Sequence, residues 1–200
     1  MFSARPSKRF VAPFALLCGF SFALAQAPLN TTGQIAVEGR STPYLIRHLP
    51  VSAFPQLPAA VESALTERGC LIPQTYQAHH PENVIQASFE HHGSSDWAVL
   101  CSVRGTVSLL VFFGGKPAQP SVLASAPETE RLASEPATGV LGLNWGIDPA
   151  SPEQVREAQL NMRRRPPRVD HDAVADTIID QVTVFHYYSI SNWTVLDTQD

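Results

Sequence analysis

Between residues 70 and 113 the chain alternates short apolar runs with clusters of turn residues. In Val84 to Glu90, Ile85, Ala87 and Phe89 alternate with Gln86 and Ser88, the period-two pattern of a half-buried strand. Trp97 to Val103 is apolar almost throughout and reverses at Arg104-Gly105-Thr106. Val107 to Phe113 is apolar again and stops at Gly114-Gly115. Runs that are apolar on both faces belong in the middle of a covered sheet, so residues 84–113 predict an antiparallel meander. Cys70-Leu71-Ile72 predicts a further strand, ended by Pro73.

Helical spacing occurs at two places. Pro58 suits a first turn, Val61, Ala64 and Leu65 share a face, and Gly69 supplies a left-handed stop, giving a helix over 58–68. Ser151-Pro152-Glu153-Gln154 is a capping box with proline in the first turn, and Val155, Ala158, Gln159 and Met162 share one side. This second helix runs over 152–163 and ends at Arg163-Arg164-Arg165 and Pro166-Pro167. Residues 26–56 read as an extended segment with a strand at Tyr44 to Leu49, because Pro43, Pro50 and Pro55 block long helices. Residues 116–138, rich in Pro, Ala, Ser and Glu, read as a flexible loop, and Gly139 to Trp145 as a strand rejoining the sheet. Asp172 to Asp180 predicts a short helix. Val182 to Tyr188 and Trp193 to Leu196 predict a closing hairpin across Ser189-Ile190-Ser191-Asn192. The sum is an α+β domain over 57–200 with a mainly antiparallel sheet.

The start of the chain has a different character. Arg5, Lys8 and Arg9 precede an apolar run from Phe10 to Ala25, too short for a bilayer span but suited to a signal-peptide core. Ala23 and Ala25 give a small-x-small cleavage site, so residues 1–25 are expected to be a leader and the protein to be exported, periplasmic or secreted. A lipid anchor at Cys18 is disfavoured by the bulky Leu17 before it, and an uncleaved anchor is the other alternative. No later segment is apolar and long enough to span a bilayer as a helix. Loss of the leader moves the net charge from −4 to −7 and leaves Lys116 as the sole lysine. Such a chain has no electrostatic reason to bind nucleic acid or anionic lipid. No cofactor is indicated, and the expected partner is an envelope protein or a glycan.

Export leaves Cys70 and Cys101, an even count in an oxidising compartment, which reads as one disulfide. The alternatives are two buried thiols or a reactive thiol. No C-x-x-C motif supports the last of these.

Several stretches have a familiar wording. Leu49-Pro50-Val51, Gly69-Cys70-Leu71-Ile72-Pro73-Gln74, Asn83-Val84-Ile85 and Asp96-Trp97-Ala98-Val99-Leu100-Cys101-Ser102 resemble a family of uncharacterised exported bacterial proteins, as does the Tyr187-Tyr188 and Trp193 hairpin. That resemblance implies export and fold, and no activity. Phe89-Glu90-His91-His92-Gly93-Ser94-Ser95-Asp96-Trp97-Ala98-Val99 is similar to a single FG-GAP (VCBS-type) propeller repeat, whose loop oxygens can hold calcium. The chain keeps Gly93 and Asp96 of that pattern. It has Glu90 at the asparagine position and His92 in place of the loop aspartate, and a single repeat does not close a propeller.

Candidate chemistry is sparse. Glu90, His92 and Asp96 in one turn are a candidate metal site or, as two carboxylates, an acid–base pair. The pairs His79-His80 and His91-His92 flank one strand, whose extended length of about 20 Å separates them. Asp170-His171-Asp172 with Ser189 or Ser191 has acid–base residue types, but no nucleophile elbow accompanies it. Trp97, Tyr187, Tyr188 and Trp193 are a candidate stacking platform for sugar or peptide, with Trp145 a further aromatic. The sequence therefore favours a non-catalytic binding or interaction module. A small hydrolase or metal-dependent enzyme built on Glu90, His92 and Asp96 is the alternative.

Overall fold

The computed structural model describes residues 29–117, 119–162 and 168–197. The expected leader and its cleavage site, and the Arg163-Arg164-Arg165 run, lie outside the described residues. Strands β1 (Leu29–Val37) and β2 (Arg40–Pro50) form a long antiparallel hairpin. A 3-10 turn at Val51–Ala53 and helix α1 (Ala59–Glu67) lead to β3 (Leu71–Gln74), which pairs with the end of β2. Then come β4 (Val84–Ala87), β5 (Asp96–Val103), β6 (Thr106–Phe112) and β7 (Ser121–Pro127), each antiparallel to the next. A 3-10 turn at Glu128–Glu130 precedes β8 (Leu132–Ser134) and β9 (Leu141–Leu143). The strand order is β7-β6-β5-β3-β2-β9-β8, with β1 on β2 and β4 on β5; β9 runs parallel to β2 through the pair Tyr44 and Leu141.

At Asn144 the chain leaves this sheet and starts a second one. Strand β10 (Trp145–Ala150) is followed by α2 (Pro152–Ala158), then by β11 (Ala173–Ile178), β12 (Val182–Ser189) and β13 (Asn192–Asp197), in the antiparallel order β10-β11-β12-β13. The fold is α+β and mainly antiparallel, as the patterning predicts.

Alternation along the strands sets the layers. One face of β5, with Trp97, Val99 and Cys101, packs with Ile72 and Phe112 against Val61 and Leu65 of α1. The opposite face, with Ala98 and Leu100 of β5 and Leu109 and Val111 of β6, packs on Trp145, Ile147 and Val174 of the second sheet. The second sheet's outer face, with Ala175, Tyr187 and Leu196, carries Val155 of α2. The order is therefore helix, sheet, sheet, helix. The sheet-to-sheet and helix-to-sheet layers both hold fully buried side chains, and each large apolar one contributes about 1.5–3 kcal/mol.

Asn83 joins the two sheets. Its Nδ2 donates to Pro73 O of β3 at 2.7 Å and to Trp145 O of β10 at 3.4 Å, while its Oδ1 accepts from Ile147 N at 3.2 Å. Its φ of +69° is tolerated because asparagine is among the side chains that enter the left-handed region most readily.

Cys70 and Cys101 form a disulfide with Cα atoms 5.3 Å apart, tying the end of α1 to β5. Elsewhere the structure differs from the sequence reading. Residues 26–56 do not stand apart as an extended segment, since β1 and β2 are strands of the larger sheet. Within the expected loop 116–138 lie β7 and β8; β7 pairs along β6 because small residues such as Ala124 and Ala126 allow close packing. Asp172 to Asp180 contains a strand, β11, not a helix; Ala173 to Asp176 are all buried, which a one-sided helix would not give. Helix α2 ends at Ala158 and tightens into a 3-10 turn at Gln159–Asn161.

Candidate functional site

The turn that carries Glu90, His92 and Asp96 is organised chiefly by Asp96, with Ser88 Oγ donating to Ser94 O at 2.9 Å and Ser94 N to His91 O at 3.0 Å. The Asp96 carboxylate is fully buried and accepts the backbone N–H groups of Phe89 and Glu90, both at 2.8 Å, the Ser94 hydroxyl, and the N–H of Gly114 at 2.6 Å. Charge-assisted bonds of this kind are about twice as strong as neutral ones, so Asp96 acts as a peg that closes one loop and holds the next. Glu90 and His92 point outward, and Glu90 lies 3.6 Å from His91. The three candidate ligands are thus not gathered, and among the described residues no group of three His, Cys, Asp or Glu is placed to hold a metal ion.

Asp96 also positions the chain just beyond β6. Gly114, at φ +55°, turns the backbone at the Asp96 contact, and Phe113 beside it packs against the last hairpin. The Phe113 and Tyr188 rings meet edge to face at 4.8 Å, Phe113 and Trp193 stack at 5.7 Å, and Tyr188 and Trp193 meet at 5.4 Å. Of the four candidate platform aromatics, Trp97 is buried under α1 and Tyr187 under α2. Burial raises the Tyr187 phenol above its usual range, and its contacts with Thr194 and Gln159 oppose that only in part. Only Tyr188 and Trp193 come together, half-buried. The Nε1 of Trp193 is enclosed without an acceptor among the described residues, so this cluster packs as an apolar stem.

That stem supports a hairpin tip with unusual chemistry. Ser189 and Asn192 pair, leaving Ile190 and Ser191 as a two-residue loop with φ of +49° and +62°. Positive φ at both central residues is the signature of a type I′ turn, which favours Asn-Gly or Asp-Gly. Among the described residues, the other two-residue hairpin loops obey this preference at their second position, with Glu38-Gly39 and Arg104-Gly105. The last hairpin instead places a β-branched side chain in the left-handed region, where it clashes with its own backbone. Ile190 is also 86% exposed, so the fold returns no burial for that strain.

The remaining candidates are dispersed. His79 and His80 are exposed, as are His91 and His92. Asp172 bridges the sheets, its N–H donating to Ser88 O at 2.9 Å and its Oδ2 accepting from Ser88 N at 3.1 Å. His171 is buried beside it, and neither Ser189 nor Ser191 is bonded to it. Two features have no counterpart in the sequence reading. A cleft of about 450 Å³ is lined by Thr75, Glu82, Asn83, Asp148 and Thr177, among others. Although Asp148 reaches solvent, desolvation and then the charge of Glu82 hold it above the usual carboxylate range. Buried histidine–carboxylate pairs also occur, His48 with Glu128 and His186 with Asp176. Neither the cleft nor these pairs left a local signal, since their members are 10 to 80 residues apart in the pairs and spread over several elements in the cleft.

No family model matches the chain, and no curated protein or solved structure matches it at a significant level.

Proposed function

We propose that the protein is an exported, non-catalytic interaction module that engages a partner protein through the 188–193 hairpin tip. The carrying observation is Ile190, exposed and strained at once. A left-handed non-glycine residue costs about 1–3 kcal/mol. Local rules of this kind are broken in natural proteins mainly where function requires it. The disulfide between Cys70 and Cys101 is compatible with an oxidising, exported location.

The chemistry of the tip selects the partner. Ser189, Ile190, Ser191 and Asn192 carry no charge, so nothing there holds a lipid headgroup, and a single isoleucine is too little apolar surface for a membrane anchor. Stacking with sugars favours open ring faces, whereas Phe113, Tyr188 and Trp193 are half-buried and packed on one another. An apolar pocket on a folded envelope protein, rimmed by groups that bond the Ser and Asn side chains, fits the tip best.

The test is a photoreactive aliphatic residue installed at position 190 of the full chain in its native cells, with exposed Ser63 on α1 as the control position. The proposal expects a discrete protein adduct from position 190 and none from position 63. Adducts with lipid only, or equal labelling from both positions, would overturn it.

A further inference from the structure

His48 sits in β2, 2% exposed, with both ring nitrogens against acceptors. Its Nδ1 lies 3.1 Å from the carbonyl oxygen of Leu29, at the start of β1, and its Nε2 lies 2.8 Å from Glu128 Oε1. The same Oε1 accepts the Ser102 hydroxyl. A carbonyl oxygen can only accept, so Nδ1 must carry a proton. Between Nε2 and Oε1 a second proton is required, since two lone pairs would otherwise face each other. Among the described residues, Glu128 is the one acid within ion-pair distance of the His48 ring. Its register partner on β3 is Pro73, β1 offers a carbonyl, β5 offers Ser102, and Glu128 is its ion-pair partner.

We infer that His48 and Glu128 form a proton-dependent buckle that fastens the start of β1 to the sheet. In the closed state His48 is an imidazolium and Glu128 a carboxylate. Loss of one proton to solvent leaves a neutral ring with a single N–H. The carboxylate is the stronger acceptor, so the ring keeps Nε2–H and turns a lone pair toward Leu29 O. That contact becomes repulsive and the end of β1 opens, while the rest of the sheet, held by β3, β5 and the disulfide, stays closed. Alkalinity therefore acts locally on β1.

The experiment is nitrogen NMR of the histidine rings in the purified protein from about pH 6 to about pH 10. His48 is assigned by loss of its signals in His48→Gln, and the Leu29–Thr31 amides are followed in the same samples. The buckle predicts two protonated ring nitrogens at neutral pH, one titration, and a shift of the Leu29–Thr31 signals with the same midpoint. In Glu128→Gln the side-chain amide can donate to Nε2, so the ring becomes neutral, keeps Nδ1–H on Leu29, and the alkaline shift of β1 disappears. If that variant does not fold, the ring pattern of the unaltered protein decides. An unprotonated Nε2 at neutral pH, or β1 signals that stay fixed while His48 titrates, would overturn the inference.

Discussion

Tyr188 and Trp193 face each other across the last hairpin with ring centroids 5.4 Å apart, two residues before and three after the exposed Ile190. Phe113 braces both rings, and Phe113 is itself placed by the Gly114 contact with Asp96. The tip thus projects from a packed stem. Docking through the tip would lose less entropy, because the backbone that presents Ile190 is already ordered by the paired strands.

If Ile190 serves a partner, the isolated fold should improve when it is replaced. Ile190→Asn combined with Ser191→Gly restores the preferred I′ pair and should raise the unfolding free energy by about 1–2 kcal/mol. Urea denaturation measures this. A loss of stability would mean that the isoleucine contributes to the fold after all.

Asp96 should be far more costly to remove than the neighbours that share its turn. Asp96→Ala strands the N–H groups of Phe89, Glu90 and Gly114, a loss of about 3–5 kcal/mol. Glu90→Gln and His92→Ala should each stay within about 0.5 kcal/mol, and calcium or zinc should not alter their melting temperatures relative to the unaltered protein. A large, metal-dependent change in either would restore the metal reading of this turn.

Acid should weaken the fold through Glu128. Desolvation raises this carboxyl, but hydrogen bonds from His48 and Ser102 and the His48 charge outweigh it, so the group is held below its ordinary 4.5. A lowered value in the folded state means that the folded protein binds fewer protons than the unfolded chain. The associated stability is fully present above the ordinary value and is lost as pH falls through the lowered one. Denaturation curves across that acid window should therefore fall more steeply for the unaltered protein than for Glu128→Gln. Parallel curves would remove Glu128 from the account. Asp148 has the opposite sign. Its raised value costs stability once pH exceeds the unfolded carboxylate range, so Asp148→Asn should stabilise the protein at neutral pH and do nothing in strong acid.

The bridge between Cys70 and Cys101 closes a loop with a sequence separation of 31. On the chain-entropy view, reduction should cost about 3–4 kcal/mol, read as a lower urea midpoint in the presence of a thiol reductant. An unchanged midpoint after verified reduction would show that the loop is already held by packing.

The legible parts of the chain were those where composition and burial agree. Strands β5 and β6 are apolar on both faces because both faces are covered, and Ser151-Pro152-Gln154 caps α2 as its spacing predicts, with Ser151 Oγ accepting from Gln154 N. Strand β7 was hidden by its Ala, Ser and Pro content, which marks loops as often as close-packed strands. Strand β11 was hidden by Asp176, a buried acceptor for the indole of Trp145 and for His186, partners that only the folded sheet supplies. The candidate tip was visible only as a turn. A four-residue connection over Ser189–Asn192 imposes no left-handed backbone on Ile190, whereas the two-residue loop does. The Glu82 and Asp148 cleft gathers residues from both sheets and has no motif to read.

If Ile190 is a contact residue, the affinity of the partner captured at position 190 depends on that side chain. Titration of that protein with the unaltered chain and with Ile190→Asn should show a loss of about 10- to 100-fold for the variant, the effect of removing one well-buried aliphatic anchor. Equal affinity for the two would mean that Ile190 makes no contact with the partner.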